Sequence, residues 1–141
     1  MTSAHVSFID RYRDLGLTGG PMDSASIARL EEHLGLPIPP AYRAYLAIAG
    51  ASSPPGLVGS DCHADYLFKL HDWARELLNE SGNPFPLPDD AIVFLMHQGY
   101  QFFYFHADGV TDDPPVYYYF ENRSAVERPY EHFSNWVAAI A

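Results

Sequence analysis

The sequence lacks the features that would place it outside the cell or in a membrane. Cys62 is its only cysteine, so an internal disulfide is impossible. No apolar run approaches the ~20 residues that a membrane-spanning helix needs. The first residues, Met-Thr-Ser-Ala-His-Val, have no basic region followed by an apolar stretch, so they do not form a secretory signal. These absences predict a protein of the reducing cytoplasm with no membrane partner.

Basic residues are scarce. The chain has 8 Lys and Arg against 18 Asp and Glu, a net charge of −10. Residues 51–141 hold thirteen acids and four bases (4 − 13 = −9), and residues 1–50 hold five acids and four bases (4 − 5 = −1). An acidic surface repels phosphate backbones, which argues against nucleic-acid binding and favours a basic protein partner. Acidity that only keeps the protein soluble is the alternative interpretation.

Catalytic and metal-binding motifs are also missing. The sequence has no Gly-x-Ser-x-Gly elbow and no glycine-rich phosphate loop. The string at 61–65, Asp-Cys-His-Ala-Asp, can supply two metal ligands at once, and zinc needs three or four. The acidic stretch from Asp108 is no calcium loop, because Tyr119 stands where such a loop needs a bidentate Glu. We therefore predict no catalytic residues, metal or cofactor, with a small hydrolase or metal-dependent enzyme as the remaining alternative.

What the chain does contain is enough apolar sequence for a single globular domain over 1–141. Hydrophobic residues make up 48% of it and aromatic residues 15%. Three runs rich in β-branched and aromatic residues, at 92–96, 100–106 and 116–121, predict an antiparallel meander. Gly99 makes the first turn, and the third strand begins after Pro114 and Pro115, which lack backbone donors.

The rest of the chain predicts helices that cover this sheet. We expect a helix over 6–15, a second capped by Asp23 or Ser24 and ended by Gly35, and a third from Pro40 to residue 49. A short strand at 66–70 precedes a fourth helix that Asp72 caps. The spacing of Phe133, Trp136, Val137 and Ile140 predicts a closing helix whose aromatic residues lie in the core. Residues 51–64 and 122–129 read as loops, and the whole pattern predicts an α+β fold.

Alternation along the strands separates two aromatic faces. We assign the face with fewer polar tips to the core: Phe103, Phe105, Val116, Tyr118 and Phe120. The other face would expose tyrosine rings and some neighbours: Tyr100, Phe102, Tyr104, His106, Tyr117, Tyr119 and Glu121. The alternative is that both faces are covered, one of them by the segment 51–70.

Several blocks of the chain, in this order, resemble the SUKH superfamily. The first is Ile27-x-x-Leu30-Glu31-x-x-Leu34-Gly35-Leu36-x-Ile38-Pro39-x-x-Tyr42-Arg43-x-Tyr45-Leu46-x-x-x-Gly50. Further blocks follow at 67–73, 87–99, 115–117 and 133–137, so that the likeness covers about residues 24–140. The chain departs from the family at Tyr100, where Asp is frequent, and at His132, where a small cap residue is usual.

The resemblance implies an antiparallel sheet packed on helices, no catalytic residues and a protein-binding role. In bacteria such proteins most often neutralise a toxin made by the same cell or its kin. The predicted function is therefore that of an immunity protein acting by direct contact, and a regulatory or scaffold protein of the same fold is the alternative.

The predicted partner surface combines acidic residues with tyrosines. Asp108, Asp112, Asp113 and Glu121 would form a rim around Tyr117 and Tyr119, with Tyr100 and Tyr104 on the same face. Such a surface suits a toxin domain with a basic surface, because charge steers the encounter and buried rings hold the complex. Loop carboxylates in water contribute little to folding, so changing Asp112 and Asp113 to lysine should leave stability unchanged. The loop 51–64, with Asp61 and the neighbouring Asp65, is a rival site.

Overall fold

The computed structural model of the chain describes residues 3–51, 60–61 and 67–141. Within them the helices are α1 Ser3–Asp14, α2 Ser24–Leu34, α3 Pro40–Ala49, α4 Leu67–Glu80 and α5 Phe133–Ile140. The strands are β1 Ser60–Asp61, β2 Ala91–His97, β3 Gln101–His106, β4 Val116–Phe120 and β5 Glu127–Tyr130. They form one sheet in the order β1-β2-β3-β4-β5, antiparallel throughout, which confirms the predicted α+β meander.

Local signals set the starts of α2 and α3 and the β2–β3 turn as predicted, whereas Asp72, predicted to cap the fourth helix, lies inside α4. The side chain of Asp23 accepts a hydrogen bond of 2.7 Å from the Ser26 amide at the start of α2. Pro40 opens α3, where a missing amide costs nothing. In the turn between β2 and β3 Gln98 and Gly99 both have positive φ, 51° and 78°, which matches the twist of the flanking strands.

One face of the sheet packs against α3 and α5, and α1 packs on these two helices. The ring of Phe94 lies 4.8 Å from Trp136 and 5.2 Å from Phe133, and Tyr42 of α3 packs on Phe105 at 5.1 Å. Phe133 and Trp136 are 0% and 2% exposed, so their predicted place in the core is confirmed. This aromatic cluster fixes how the helices sit on the sheet.

The opposite face is buried as well, which contradicts the predicted tyrosine surface. Tyr104 and Tyr119 are 3% and 0% exposed. α4 packs on β2, and Phe85, in the segment after α4, meets Tyr119 at 5.5 Å. Tyrosine is compatible with this burial because its hydroxyl reaches a partner: that of Tyr119 donates to the Arg123 carbonyl at 2.8 Å. Helices therefore cover both faces.

The predicted core face is correct only in part. Phe105 and Val116 are buried as expected. Phe103, Tyr118 and Phe120 are half-buried instead. Phe103 lines a shallow depression with Tyr130 and Ile140, at the point where α5 ends. The alternation of side chains along the strands predicted which residues share the core face. It did not predict where α5, which covers that face, ends.

Three local assignments were wrong. Residues 67–70, predicted as a strand, are the first turn of α4. Residues 127–129, predicted as loop, form β5 together with Tyr130, and residues 60–61, also predicted as loop, form β1. β5 is the outermost strand of the sheet, and backbone pairing with β4 holds this polar segment in place. Pro129 has no backbone N–H, which an edge strand tolerates because one of its sides has no neighbouring strand. Tyr66 lies outside the described residues.

Candidate functional site: an acidic edge of the sheet

In an antiparallel meander the start of β2, the end of β3 and the start of β4 lie side by side, at the same end of the strands. This end forms one border of the sheet. Four carboxylates lie in the segments at this edge, and we call the group the acidic edge: Asp89, Asp90, Asp108 and Asp112. All four are exposed or half-buried. Residues 76–122 contain eight acids and no Lys or Arg, so this part of the chain supplies no cation to balance them.

The loop between β3 and β4 is built around Asp108. Its carboxylate accepts hydrogen bonds from the amides of Val110 and Thr111, both at 2.8 Å, and from the Thr111 hydroxyl at 2.7 Å. These bonds lower the pKa of Asp108 to about 2, and the bond from the Thr111 amide has the largest effect. The loop therefore carries its negative charge at any physiological pH, and it presents Val110, 84% exposed, at its tip.

The same loop is braced against the linker before α3. The carbonyl of Asp112 accepts a hydrogen bond of 3.0 Å from the Ala41 amide. A Cβ on Gly109 would lie 3.4 Å from the Cγ of Pro37, so the two segments are in close contact. A binding surface on this loop is thus held in place before any partner arrives, which reduces the ordering cost of association.

A histidine–carboxylate pair lies beside the loop. Nδ1 of His106 is 2.7 Å from Oδ1 of Asp90. The imidazole meets the rings of Tyr104 and Tyr117 edge-on, and the two tyrosines stack with centroids 5.3 Å apart. Sequence reasoning left Asp90 out of the site. The available signal was the hairpin register, which places Ala91 opposite His106.

The carboxylate of Asp113 is hydrogen-bonded within the protein, unlike that of an acidic group free to meet a partner. Its carboxylate accepts hydrogen bonds from the Ser134 amide at 2.9 Å and from the Ser134 hydroxyl at 2.6 Å. His132, the N-cap residue of α5, provides no side-chain cap. Asp113 therefore caps α5 from a distant position in the sequence, and the prediction that a lysine pair at 112 and 113 is neutral for stability conflicts with these contacts.

The remaining predicted site residues do not join this edge. The amide of Glu121 bonds to the Tyr100 carbonyl at 2.9 Å, at the opposite end of β4. Glu121 follows Val116 by five positions along the strand, about 17 Å at 3.4 Å per residue. Tyr104 and Tyr119 are buried. Of the predicted set, the structure brings together Asp108, Asp112 and Tyr117.

An apolar groove borders the acidic edge. Its volume is about 240 Å³, and it lies between the end of α2, the start of α4 and β2. The residues that line it are His33, Leu34, Leu36, Leu67, His71, Asp72, Asp89, Ala91, Ile92 and Val93. The pKa of His71 is lowered mainly by burial and, to a smaller extent, by the charge of Arg75. The imidazole is therefore neutral at pH 7, and the carboxylates of Asp72 and Asp89 provide the charge of the groove.

Within residues 3–51, 60–61 and 67–141, no group of three or more His, Cys, Asp or Glu side chains is arranged to hold a metal ion. Residues 62–65 of the possible ligand string, and most of the rival loop, lie outside these ranges. None of the helices in the described part of the chain has the length and apolar character to cross a membrane.

The architecture defines the class: an α+β protein in which helices cover both faces of an antiparallel meander and an acidic edge is left accessible. The family model described as SMI1/KNR4 family (SUKH-1) matches residues 21–139. The chain therefore belongs to this family, and its predicted membership of the SUKH superfamily is confirmed. Among curated proteins the comparison found no match.

Proposed function

We propose that the protein is a non-catalytic binding domain, an immunity protein of the cytoplasm that neutralises a cognate toxin by direct contact. Membership of the SMI1/KNR4 family supports a role in protein–protein interaction. The main observation that supports a particular binding surface is the acidic edge. Its four accessible carboxylates lie within residues 76–122, which contain no Lys or Arg. A toxin domain with a basic surface is the partner that such an edge would attract.

The edge would work in two steps. Its negative charge raises the rate of encounter with a basic surface, an effect that salt screens. Val110 and Tyr117 then provide apolar area beside the carboxylates, and contact between these side chains and the partner slows dissociation. The braced loop makes this surface rigid in the free protein.

A toxin encoded next to this gene is the partner with which to test the proposal. Expression of the chain should relieve growth arrest by that toxin, and the two purified proteins should associate. Asp112→Lys should slow association at low salt, with a smaller effect at high salt. Glu121→Lys is the matched control, since it makes the same charge change at the opposite edge of the sheet, and it should associate at close to the wild-type rate.

Two results would overturn parts of the proposal. If Asp112→Lys associates at the wild-type rate in low salt, the acidic edge is not the interface. If the chain binds a cellular protein but gives no protection from the toxin, it is a regulatory or scaffold protein of the same fold.

Tyr117→Ala distinguishes direct contact with the partner from electrostatic steering. This variant should raise the dissociation rate, whereas the control Tyr100→Ala, at the other end of the strands, should not.

A further inference from the structure

We propose that the groove beside the acidic edge receives an arginine side chain of the protein partner. This inference rests on the proposed function and names a specific contact within it. The groove joins an apolar interior to two carboxylates, and its 240 Å³ is below the roughly 300–1,000 Å³ of ordinary small-molecule sites. A single long side chain suits this size better than a cofactor or metabolite.

The apolar interior matches the stem of an arginine. Leu34 and Leu36 line the groove from the end of α2 and the linker, Leu67 from the start of α4, and Val93 from β2. Arginine buries its methylene groups along such surfaces and keeps its charged head in a polar environment. An acidic or small polar side chain would find no partner for most of this lining.

The charge of the groove selects a cation. Asp72 and Asp89 contribute two negative charges, and the described lining contains no Lys or Arg, so the groove is net negative even though the charge of Arg75 reaches His71. His71 is neutral at pH 7, because burial and Arg75 lower its pKa. Guanidinium has five donors in a planar fork, so it can bond to carboxylates from two directions and stack on an imidazole, whereas the ammonium of lysine is a compact point charge.

The groove is continuous with the proposed interface. Asp89 belongs to both, and Leu36 of the groove precedes Pro37, against which Gly109 of the β3–β4 loop packs. A partner seated on the acidic edge is therefore within reach of the groove. A salt-dependent encounter at the edge, followed by insertion of one arginine, describes a single docking event.

A titration that does not need the toxin tests the inference. N-acetyl-arginine amide is added to the ¹⁵N-labelled protein, and the backbone amide shifts are followed by NMR. N-acetyl-citrulline amide, of nearly the same shape but uncharged, is the control ligand. We expect saturable shifts at Leu36, His71 and Ala91 with the arginine compound and none with the citrulline compound.

Two variants locate the response. Asp72→Asn with Asp89→Asn should weaken the arginine response about tenfold or more, the order of loss for a charge-assisted hydrogen bond. Both positions are exposed, and the dispersion of the variant's own spectrum verifies its fold. Glu121→Gln removes one exposed charge at the far end of β4, outside the groove, and should leave the response unchanged.

Acidification gives a third readout. The groups around His71 are Asp72 and Arg75 on α4, Asp89 before β2, and His33, which lines the groove from α2. Its pKa lies below the ordinary 6.5, so protonation at lower pH adds a cation beside the site and should weaken arginine binding. His71→Asn should remove much of this pH dependence.

The inference is wrong if the citrulline compound gives the same shifts, if the shifts centre on Asp108 and Asp112, or if no saturable response occurs in the groove. Any of these results leaves the immunity function open, because the toxin is absent from the experiment. Conversely, a chain that fails to protect against the toxin but binds arginine in the groove would have a partner of another kind.

Discussion

At the scale of single residues, the neighbouring aspartates Asp112 and Asp113 have different surroundings. Asp112 is exposed and uses its carbonyl to hold the Ala41 amide, a bond that any residue could make. Asp113 directs its carboxylate at Ser134, whose hydroxyl also accepts a bond of 3.2 Å from Arg11. One aspartate is therefore available to a partner and the other links the β3–β4 loop to two helices.

This difference predicts unequal effects on stability. Asp113→Ala should lower the free energy of unfolding by about 1 kcal/mol, within the range of roughly 0.5–2 kcal/mol for a lost N-cap. Asp112→Ala should change it by less than about 0.5 kcal/mol, as an exposed substitution does. Urea unfolding of both variants measures the values. Equal losses would show that the Ser134 contacts do not stabilise α5.

The buried Tyr119 hydroxyl allows a second test at this scale. Tyr119→Phe removes the hydrogen bond to the Arg123 carbonyl and leaves that acceptor without its partner. We expect a loss of about 1 kcal/mol, typical of one net hydrogen bond in a folded protein. Tyr117→Phe, at a half-buried ring, is the control and should cost less. Urea unfolding of both variants measures the two losses.

A partner-binding role for Tyr119 predicts the opposite outcome. The Tyr119→Phe variant would then fold with wild-type stability and dissociate faster from the partner. That result would overturn the assignment of this ring to the core.

At the scale of elements, α5 holds the aromatic core together. Trp136→Ala or Phe133→Ala should lower the free energy of unfolding by ~3–5 kcal/mol, because each removes a fully buried ring and leaves a cavity. Val110→Ala removes methyl groups from an 84% exposed side chain and should leave stability nearly unchanged. Thermal and urea unfolding compare the three. A Trp136→Ala variant that melts like wild type but no longer binds its partner would contradict the core assignment.

At the scale of the whole molecule, the junction of α2, α4 and β2 should make stability depend on pH. The pKa of His71 is lower folded than unfolded, so between the two values the unfolded chain binds more protons. Stability should therefore be full above about pH 6.5 and decrease as pH falls below that value. Urea unfolding across this range should show a smaller decrease in His71→Asn. Identical pH profiles would show that burial does not disfavour the charged imidazole.

The sequence by itself determined the family and part of the local structure. Asp23, Gly35, Pro40 and Gly99 mark element ends through backbone preferences that act within a few residues. The β-branched and aromatic runs determined three of the strands, and the ordered blocks over 24–140 identified the SUKH superfamily. These features were predictable because their physical causes are local.

Only the tertiary structure decided which side chains are accessible. Alternation separates Tyr104 and Tyr119 from Phe103, but only the packing of distant segments on that face, such as Phe85 against Tyr119, determines that the tyrosines are buried. The pairing of Asp113 with Ser134 spans 21 positions, and the path of β4 separates Glu121 from the acidic loop. Such outcomes depend on the docking of distant segments, because burial and hydrogen bonding favour them only after those segments have met.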